Sequence, residues 1–223
     1  MRTVNKLALF DCDGTLVDSQ ANICRAMEDC FDGAGLVPPT RAATRRIVGL
    51  NLVEAMRVLA PEGDEALHLS LANAYKTAFH RMRGDGLVDE PLFEGIAEAI
   101  EALDAAGWML GVATGKSDRG LALCLAHHGL AHRFITLQTA DRHPSKPHPS
   151  MAELAMFEAG AAPETTVMIG DTSFDMAMAV AAGSHALGVA WGYHPPEELT
   201  LAGARRVAET PASLPRHLED LLA

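Results

Sequence analysis

The sequence is poor in lysine, in cysteine and in long apolar runs, and each shortage narrows what the chain can be. Only Lys6, Lys76, Lys116 and Lys146 are present; 18 Lys and Arg face 29 acids, for a net charge of −11. A nucleic-acid backbone needs a basic surface, so this balance excludes nucleic acid as a partner. Arg45-Arg46 and Arg205-Arg206 are too short to act as binding arms and read as solvated faces. Cys12, Cys24, Cys30 and Cys124 have neither CxxC spacing nor the density of a secreted scaffold, so reduced thiols are expected. The ten histidines contain no HExxH pair and no cysteine partner, which argues against zinc. No run reaches membrane-spanning length. Residues 1–10 are too short and too strand-like for a signal peptide, so a soluble cytoplasmic chain is expected, with no membrane partner.

What is present is an alternation of strand and helix. Residues 7–10 form a short apolar run that stops at Asp11, and residues 109–113, 134–137 and 166–169 repeat the pattern. Such runs suit buried parallel strands. Between them lie helical segments, among them one with Ile96, Ile100 and Leu103 on one side and Glu94, Glu98, Glu101 and Asp104 on the other. Gly107 stops that helix. Residues 117–128, 149–159 and 174–182 read as further helices. The expected fold is α/β: a Rossmann-like, doubly wound parallel sheet with right-handed crossovers.

One stretch breaks the rhythm. Ile23, Met27, Phe31 and Ala34 mark a helical face, Leu52, Met56 and Leu59 a second, and Leu67, Leu71, Tyr75, Phe79 and Met82 a third. No strand-like run interrupts them. Residues 18–85 are therefore expected to form an inserted α-helical cap, with residues 1–17 and 86–223 as the α/β core.

Three polar clusters follow apolar strands: Asp11-Cys12-Asp13-Gly14-Thr15, Thr114-Gly115-Lys116 and Gly170-Asp171-Thr172-Ser173-Phe174-Asp175. Open parallel sheets bind ligands beyond the carboxyl ends of their strands, so these clusters converge on one rim. Asp11 and Asp13 share a side if the strand end is extended, and Asp171 and Asp175 share a face if a helix begins near Thr172. Singly, Asp13-Gly14-Thr15 would suit a turn and Asp171 a helix N-cap. Together, four carboxylates in one place call for a cation, and hard oxygen donors select Mg²⁺. An ionised Asp11 is then available as a nucleophile. The Thr114 hydroxyl and Gly115 amide could bind a phosphoryl oxygen, and Lys146, on a proline-stiffened loop, could serve as counter-ion. Cys12 points to the opposite side of the strand and reads as core.

The four motifs in order resemble those of haloacid dehalogenase superfamily phosphatases with a helical cap. Asp11-x-Asp13-Gly14-Thr15-Leu16-Val17-Asp18-Ser19 resembles the first motif, Thr114 the second, Lys146-Pro147-His148-Pro149 the third, and Gly170-Asp171-x-x-x-Asp175 the fourth. The resemblance implies a phosphoric monoester hydrolase in which Asp11 attacks phosphorus and Asp13 protonates the leaving alcohol, then activates water. It implies that Thr114 and Lys146 hold the phosphoryl group. It also implies Mg²⁺ on Asp11, the Asp13 backbone carbonyl and Asp171, with Asp175 ligating through water or orienting the shell. The second aspartate sets the chain apart from true dehalogenases and phosphonate-cleaving relatives.

Residues 46–52, Arg-Ile-Val-Gly-Leu-Asn-Leu, are similar to the phosphoglycolate phosphatase-like branch, which makes a small phosphorylated metabolite the expected partner. Arg45, Arg46 and Gly49 are the cap residues expected to read the leaving group. Two other readings stand beside this one: a sugar-phosphate mutase of the same superfamily and a non-catalytic phosphoacceptor or phosphate-binding module.

Overall fold

The computed structural model describes residues 5–223, so the expectation for the leading residues 1–4 lies outside the described residues. The core is a six-stranded parallel sheet in the order β3-β2-β1-β4-β5-β6. Its strands are β1 (Leu7–Phe10), β2 (Met109–Thr114), β3 (Phe134–Thr139), β4 (Thr166–Gly170), β5 (His185–Val189) and β6 (Arg206–Ala208). β1 is central: Phe10 aligns with Val112 of β2 on one side and with Ile169 of β4 on the other. The chain thus winds outward from β1 in both directions, and the crevice at such a reversal is where doubly wound sheets take ligands.

Alternation along β1 divides the core. Ala8, Phe10 and Cys12 join a cluster with Ile100, Leu103 and Val112, whereas Leu7 and Leu9 face a second with Met151 and Met168. Burying both faces lets near-continuous apolar strands form at the centre, and each large side chain so buried contributes about 1.5–3 kcal/mol. The helices covering the sheet are α5 (Ile96–Ala105), α6 (Asp118–His127), α7 (Ser150–Ala159), α8 (Ser173–Ala181), α9 (Pro196–Leu201) and α10 (Leu214–Leu222). Strands β2, β3 and β4 run one or two residues further than their apolar runs, to Thr114, Thr139 and Gly170. Buried threonines and Gln138 continue the ladders there. The sequence reading did not foresee β5, β6, α9 or α10.

Between β1 and α5 stand α1 (Gln20–Gly33), α2 (Arg41–Arg46), α3 (Leu52–Leu59) and α4 (Glu65–Gly84). They carry their own apolar cluster, including Met27, Phe31, Met56, Leu71 and Met82. Side-chain caps start three of them: Thr40 accepts from Ala43 N–H, Asn51 from Glu54 N–H and Asp64 from Leu67 N–H. The two chain connections to the sheet run side by side, with Asp18 N–H donating to the Pro91 carbonyl at 2.9 Å. Among the described residues no helix is long and apolar enough to cross a membrane.

Candidate active site

The carboxyl ends of β1, β2 and β4 gather the polar clusters into one place. Asp11 follows β1 directly, and its N–H donates to the Ile169 carbonyl at 2.8 Å, extending the ladder by one residue. The chain then turns: Leu16 and Val17 N–H both donate to the Cys12 carbonyl, at 2.9 and 3.1 Å. Gly14 makes the turn possible, since its φ of 85° is left-handed and a Cβ there would lie 2.2 Å from Asp171 Oδ2. The turn brings Thr15 Oγ1 to donate to Asp171 Oδ1 at 2.8 Å.

Oxygens of Asp11, Asp171 and Asp175 lie within 4.8 Å of one another, and all three side chains are buried. Among the described residues neither Asp11 oxygen has a hydrogen-bond partner, and the Lys146 ammonium stands 2.9 Å from Oδ1 as an ion pair. Asp171 Oδ2 accepts the Tyr193 N–H at 2.9 Å. Asp175 is more fully engaged: Oδ1 takes Lys146 Nζ at 2.6 Å, and Oδ2 takes the N–H and hydroxyl of Thr172 at 3.0 and 2.7 Å. Burial pushes the Asp11 pKa up to about 7, with Asp175 and Asp13 adding and Lys146 opposing. Burial also raises Asp171 well above the usual carboxylate range, assisted by Asp11 and Asp175. Three clustered carboxylates with an unpartnered buried oxygen make a donor set that fits a hard divalent cation.

The Asp13 carboxylate is not part of this group. The sequence reading put four carboxylates together, but Asp13 Oδ1 instead meets Lys116 Nζ at 2.8 Å and accepts the Ser19 hydroxyl. One residue of separation puts two side chains on one side only while the strand stays extended, and the turn at Cys12–Gly14 ends that geometry. Asp13 therefore stands apart from the cluster, held by a cation and a hydroxyl.

Lys116 continues outward to Glu90 Oε1 at 2.6 Å, and Glu90 Oε2 receives Arg83 Nη2 at 2.8 Å. A line of alternating charges thus runs from Asp13 through the connection behind α4 to α4 itself. Burial disfavours the Lys116 ammonium, but the carboxylates of Asp13 and Glu90 outweigh that and raise its pKa. Glu90, although its burial acts upward, is held below its ordinary value by Lys116 and Arg83.

Thr114, fully buried at the end of β2, accepts the Lys116 N–H on its Oγ1 at 3.2 Å. Gly115 lies against the segment between α2 and α3: a Cβ there would come within 2.9 Å of the Leu50 carbonyl and 3.0 Å of the Gly49 carbonyl. Asn51 N–H donates to Ser145 Oγ at 2.9 Å, so the segment between α2 and α3 touches the core loops directly.

Behind it opens a cavity of about 690 Å³, with Asp13, Gly115 and Lys116 on the side of the sheet and Val48, Gly49 and Tyr75 on the side of α1–α4. Arg45 and Arg46, expected to read the leaving group, do not line it. Arg46 pairs with Glu198 at 2.7 Å on the outer seam, and Arg45 donates to Gln20 beside a separate, smaller cleft. Their helix is one and a half turns long and turns these side chains outward, leaving Ile47 and Val48 buried behind them.

Sequence reasoning missed Glu90 and the segment 191–194 as site components, and gave Lys116 and Ser19, the last residue of the first motif, no role. In that segment Trp191 Nε1–H donates to the Thr15 carbonyl at 3.1 Å, and Tyr193 supplies the amide on Asp171. The apolar run of β5 ahead of Trp191 is the one signal that could have found it.

Residues 8–189 match the haloacid dehalogenase-like hydrolase family. The chain is 35% identical over 210 residues to the "Probable phosphatase IndB" of Dickeya dadantii, covering 92% of this chain and 89% of that protein. It is 29% identical to a phosphoglycolate phosphatase of Xylella fastidiosa, over 86% of this chain and 83% of that one. A solved hydrolase from Pseudomonas syringae superposes with a TM-score of 0.85 at 25% identity, covering 98% of this chain and 100% of its own. With the acid cluster at the reversal point of the sheet and a family match along most of its length, the chain belongs to the haloacid dehalogenase-like hydrolases.

Proposed function

We propose that the chain is a Mg²⁺-dependent phosphatase that hydrolyses a small phosphorylated metabolite through an aspartyl-phosphate on Asp11. The observation that carries this reading is the Asp11 carboxylate itself: buried, with one oxygen unpartnered and the other facing Lys146. A carboxylate is costly to keep in that state unless its free oxygen has work to do. Asp11, Asp171 and the Asp13 backbone carbonyl would hold Mg²⁺, with Asp175 orienting the shell; its two oxygens are already committed to Lys146 and Thr172. Bound there, Mg²⁺ would offset the repulsion between Asp11 and an anionic phosphoryl group.

In the first step an Asp11 oxygen bonds to phosphorus as the bond from phosphorus to the leaving oxygen breaks. Asp13 gives that oxygen its proton. In the second step Asp13 takes a proton from water, whose oxygen attacks the phosphorus, releasing inorganic phosphate and restoring Asp11. The Thr114 hydroxyl, the Gly115 N–H and the Lys146 ammonium bind the phosphoryl oxygens. Residues 18–85 act as the cap over the core formed by residues 1–17 and 86–223. A cavity that reaches Asp13 favours turnover over a phosphoacceptor module, which needs no room for a leaving group.

The test is phosphate release from an aryl phosphate with Mg²⁺, with excess chelator, and by Asp11→Asn. Release should need the metal and vanish in the variant. Release by Asp11→Asn at near-normal rate, or in excess chelator, would overturn the mechanism. Return of the phosphoryl group to a sugar phosphate, with no free phosphate, would indicate the mutase instead.

A further inference from the structure

The cavity between cap and core is too large and too apolar for a two-carbon acid. Its 690 Å³ lies within the range that buries most of a drug-sized ligand. Val48, Val53, Leu69, Phe79 and Leu123 line it, and Leu69 and Leu123 are 47% and 40% exposed, unusual for leucines on opposed walls of one cavity. Its charged interior is already balanced. Lys116 is taken by Asp13 and Glu90, and Arg83 by Glu90, so that two cations meet two acids. The other basic residues of the lining, Lys76, His80 and Arg119, are solvent-exposed. A carboxylate on the leaving group would enter an apolar space without a free buried cation to meet it, which is costly.

From this we infer, resting on the phosphatase reading above, that the substrates are phosphate monoesters of uncharged, apolar, ring-bearing alcohols. Phosphoglycolate is disfavoured. The phosphoryl group lies at the acid cluster, Asp13 meets the ester oxygen, and the ring fills the space between Val48 and Leu123. Binding such a body removes apolar surface from water on both walls.

The experiment compares kcat/KM for 2-phenylethyl phosphate, ethyl phosphate and phosphoglycolate with Mg²⁺ present. The first two release similar alkoxides, so their difference reports the cavity and not the chemistry. A preference for the phenylethyl ester of at least about 10-fold over both others is expected, since even one methylene in an apolar pocket is worth about 10-fold or more. Replacing both walls, Leu69→Ser with Leu123→Ser, should lower the ratio of phenylethyl to ethyl ester several-fold. That ratio is internal to the variant, so a general loss of folding does not imitate it.

Calorimetry with 2-phenylethylphosphonate against ethylphosphonate, on the Mg²⁺-loaded protein, reads the same preference without turnover. About tenfold tighter binding of the phenyl compound is expected. Hydrolysis of all three esters at equal rates, or best with phosphoglycolate, overturns this inference and leaves the phosphatase reading standing. Phosphonate binding by size without release from any ester would instead overturn the phosphatase reading. Equal phosphonate affinities overturn the apolar cavity outright.

Discussion

Replacing Lys116 by Met should destabilise the protein strongly, although the residue has no proposed contact to phosphate or metal. Met keeps roughly the length and volume of the aliphatic stem, so packing against the cavity wall changes little. What is lost is the ammonium, 2.8 Å from Asp13 Oδ1 and 2.6 Å from Glu90 Oε1, on a side chain only 9% exposed. Glu90 would keep Arg83, but Asp13 would keep only the Ser19 hydroxyl. Removing one partner of a buried pair costs about 3–5 kcal/mol, because the remaining charge stays desolvated. For a chain of this size about 2–4 °C accompanies each kcal/mol, so the midpoint should fall by roughly 6–20 °C.

Thermal and urea unfolding in excess chelator would measure this without a metal masking it. Adding Asp13→Asn, which neutralises the carboxylate left without its cation, should return part of the loss, with a coupling on the order of 0.5–3 kcal/mol. Hydrogen exchange should show lost protection concentrated in residues 84–91, the connection that Glu90 anchors, and not spread evenly. A loss under about 1 kcal/mol, or no recovery in the double variant, would refute the view that this line of charges ties the cap connection to Asp13.

Asp13→Asn should lower turnover by about 10²–10⁴-fold on an alkyl phosphate and by much less on an aryl phosphate, whose leaving group needs less protonation; equal losses would remove Asp13 as the acid. The Mg²⁺-induced rise in unfolding midpoint should be larger at pH 8 than at pH 6, as read by thermal scans. Burial raises Asp11 from 3.8 to about 7, so the metal-free fold holds a proton the unfolded chain has released, and its stability falls as pH climbs through that window. A cation displaces that proton, and therefore gains as the proton leaves on its own. A midpoint shift that shrinks with rising pH would contradict this.

The parts of the fold that were legible are those whose burial is two-sided. Residues 7–10, 109–113 and 166–169 form the three middle strands; nothing polar faces outward there, so the apolar runs are unbroken and end where the chemistry begins. β5 and β6 were missed for other reasons. β5 carries Gly188, against which Leu199 packs so closely that a Cβ would lie 2.9 Å from it. β6 is an edge strand of three residues opening on exposed Arg206. β5 is as long as β4, but polar His185 at its start and Gly188 within it shorten its apolar run; β6 has neither the length nor the pattern that marks a strand in sequence. Both owe their place to neighbours already in the sheet.

The site divides along the same line. Asp11, Thr114 and Asp171 could be placed because each lies at or directly after a strand end, with Asp175 one helical turn beyond Asp171, and strand ends share a rim whatever the loops do. The line from Asp13 through Lys116 and Glu90 to Arg83 could not, because it joins residues up to 103 positions apart through side-chain directions that a turn decides. The helices α1–α4 fared likewise. Their faces were readable from periodicity, since helix packing needs a stripe. Which residues between α2 and α3 look inward depends on where a six-residue helix stops, and periodicity is silent over so short a span. Arg45 and Arg46 end on the outside, and Val48, Gly49 and Leu50 line the cavity. The charge of Arg45 and Arg46 was visible in the sequence, but the neighbours that line the cavity, Val48 and Leu50, are apolar, and only the fold could separate the two.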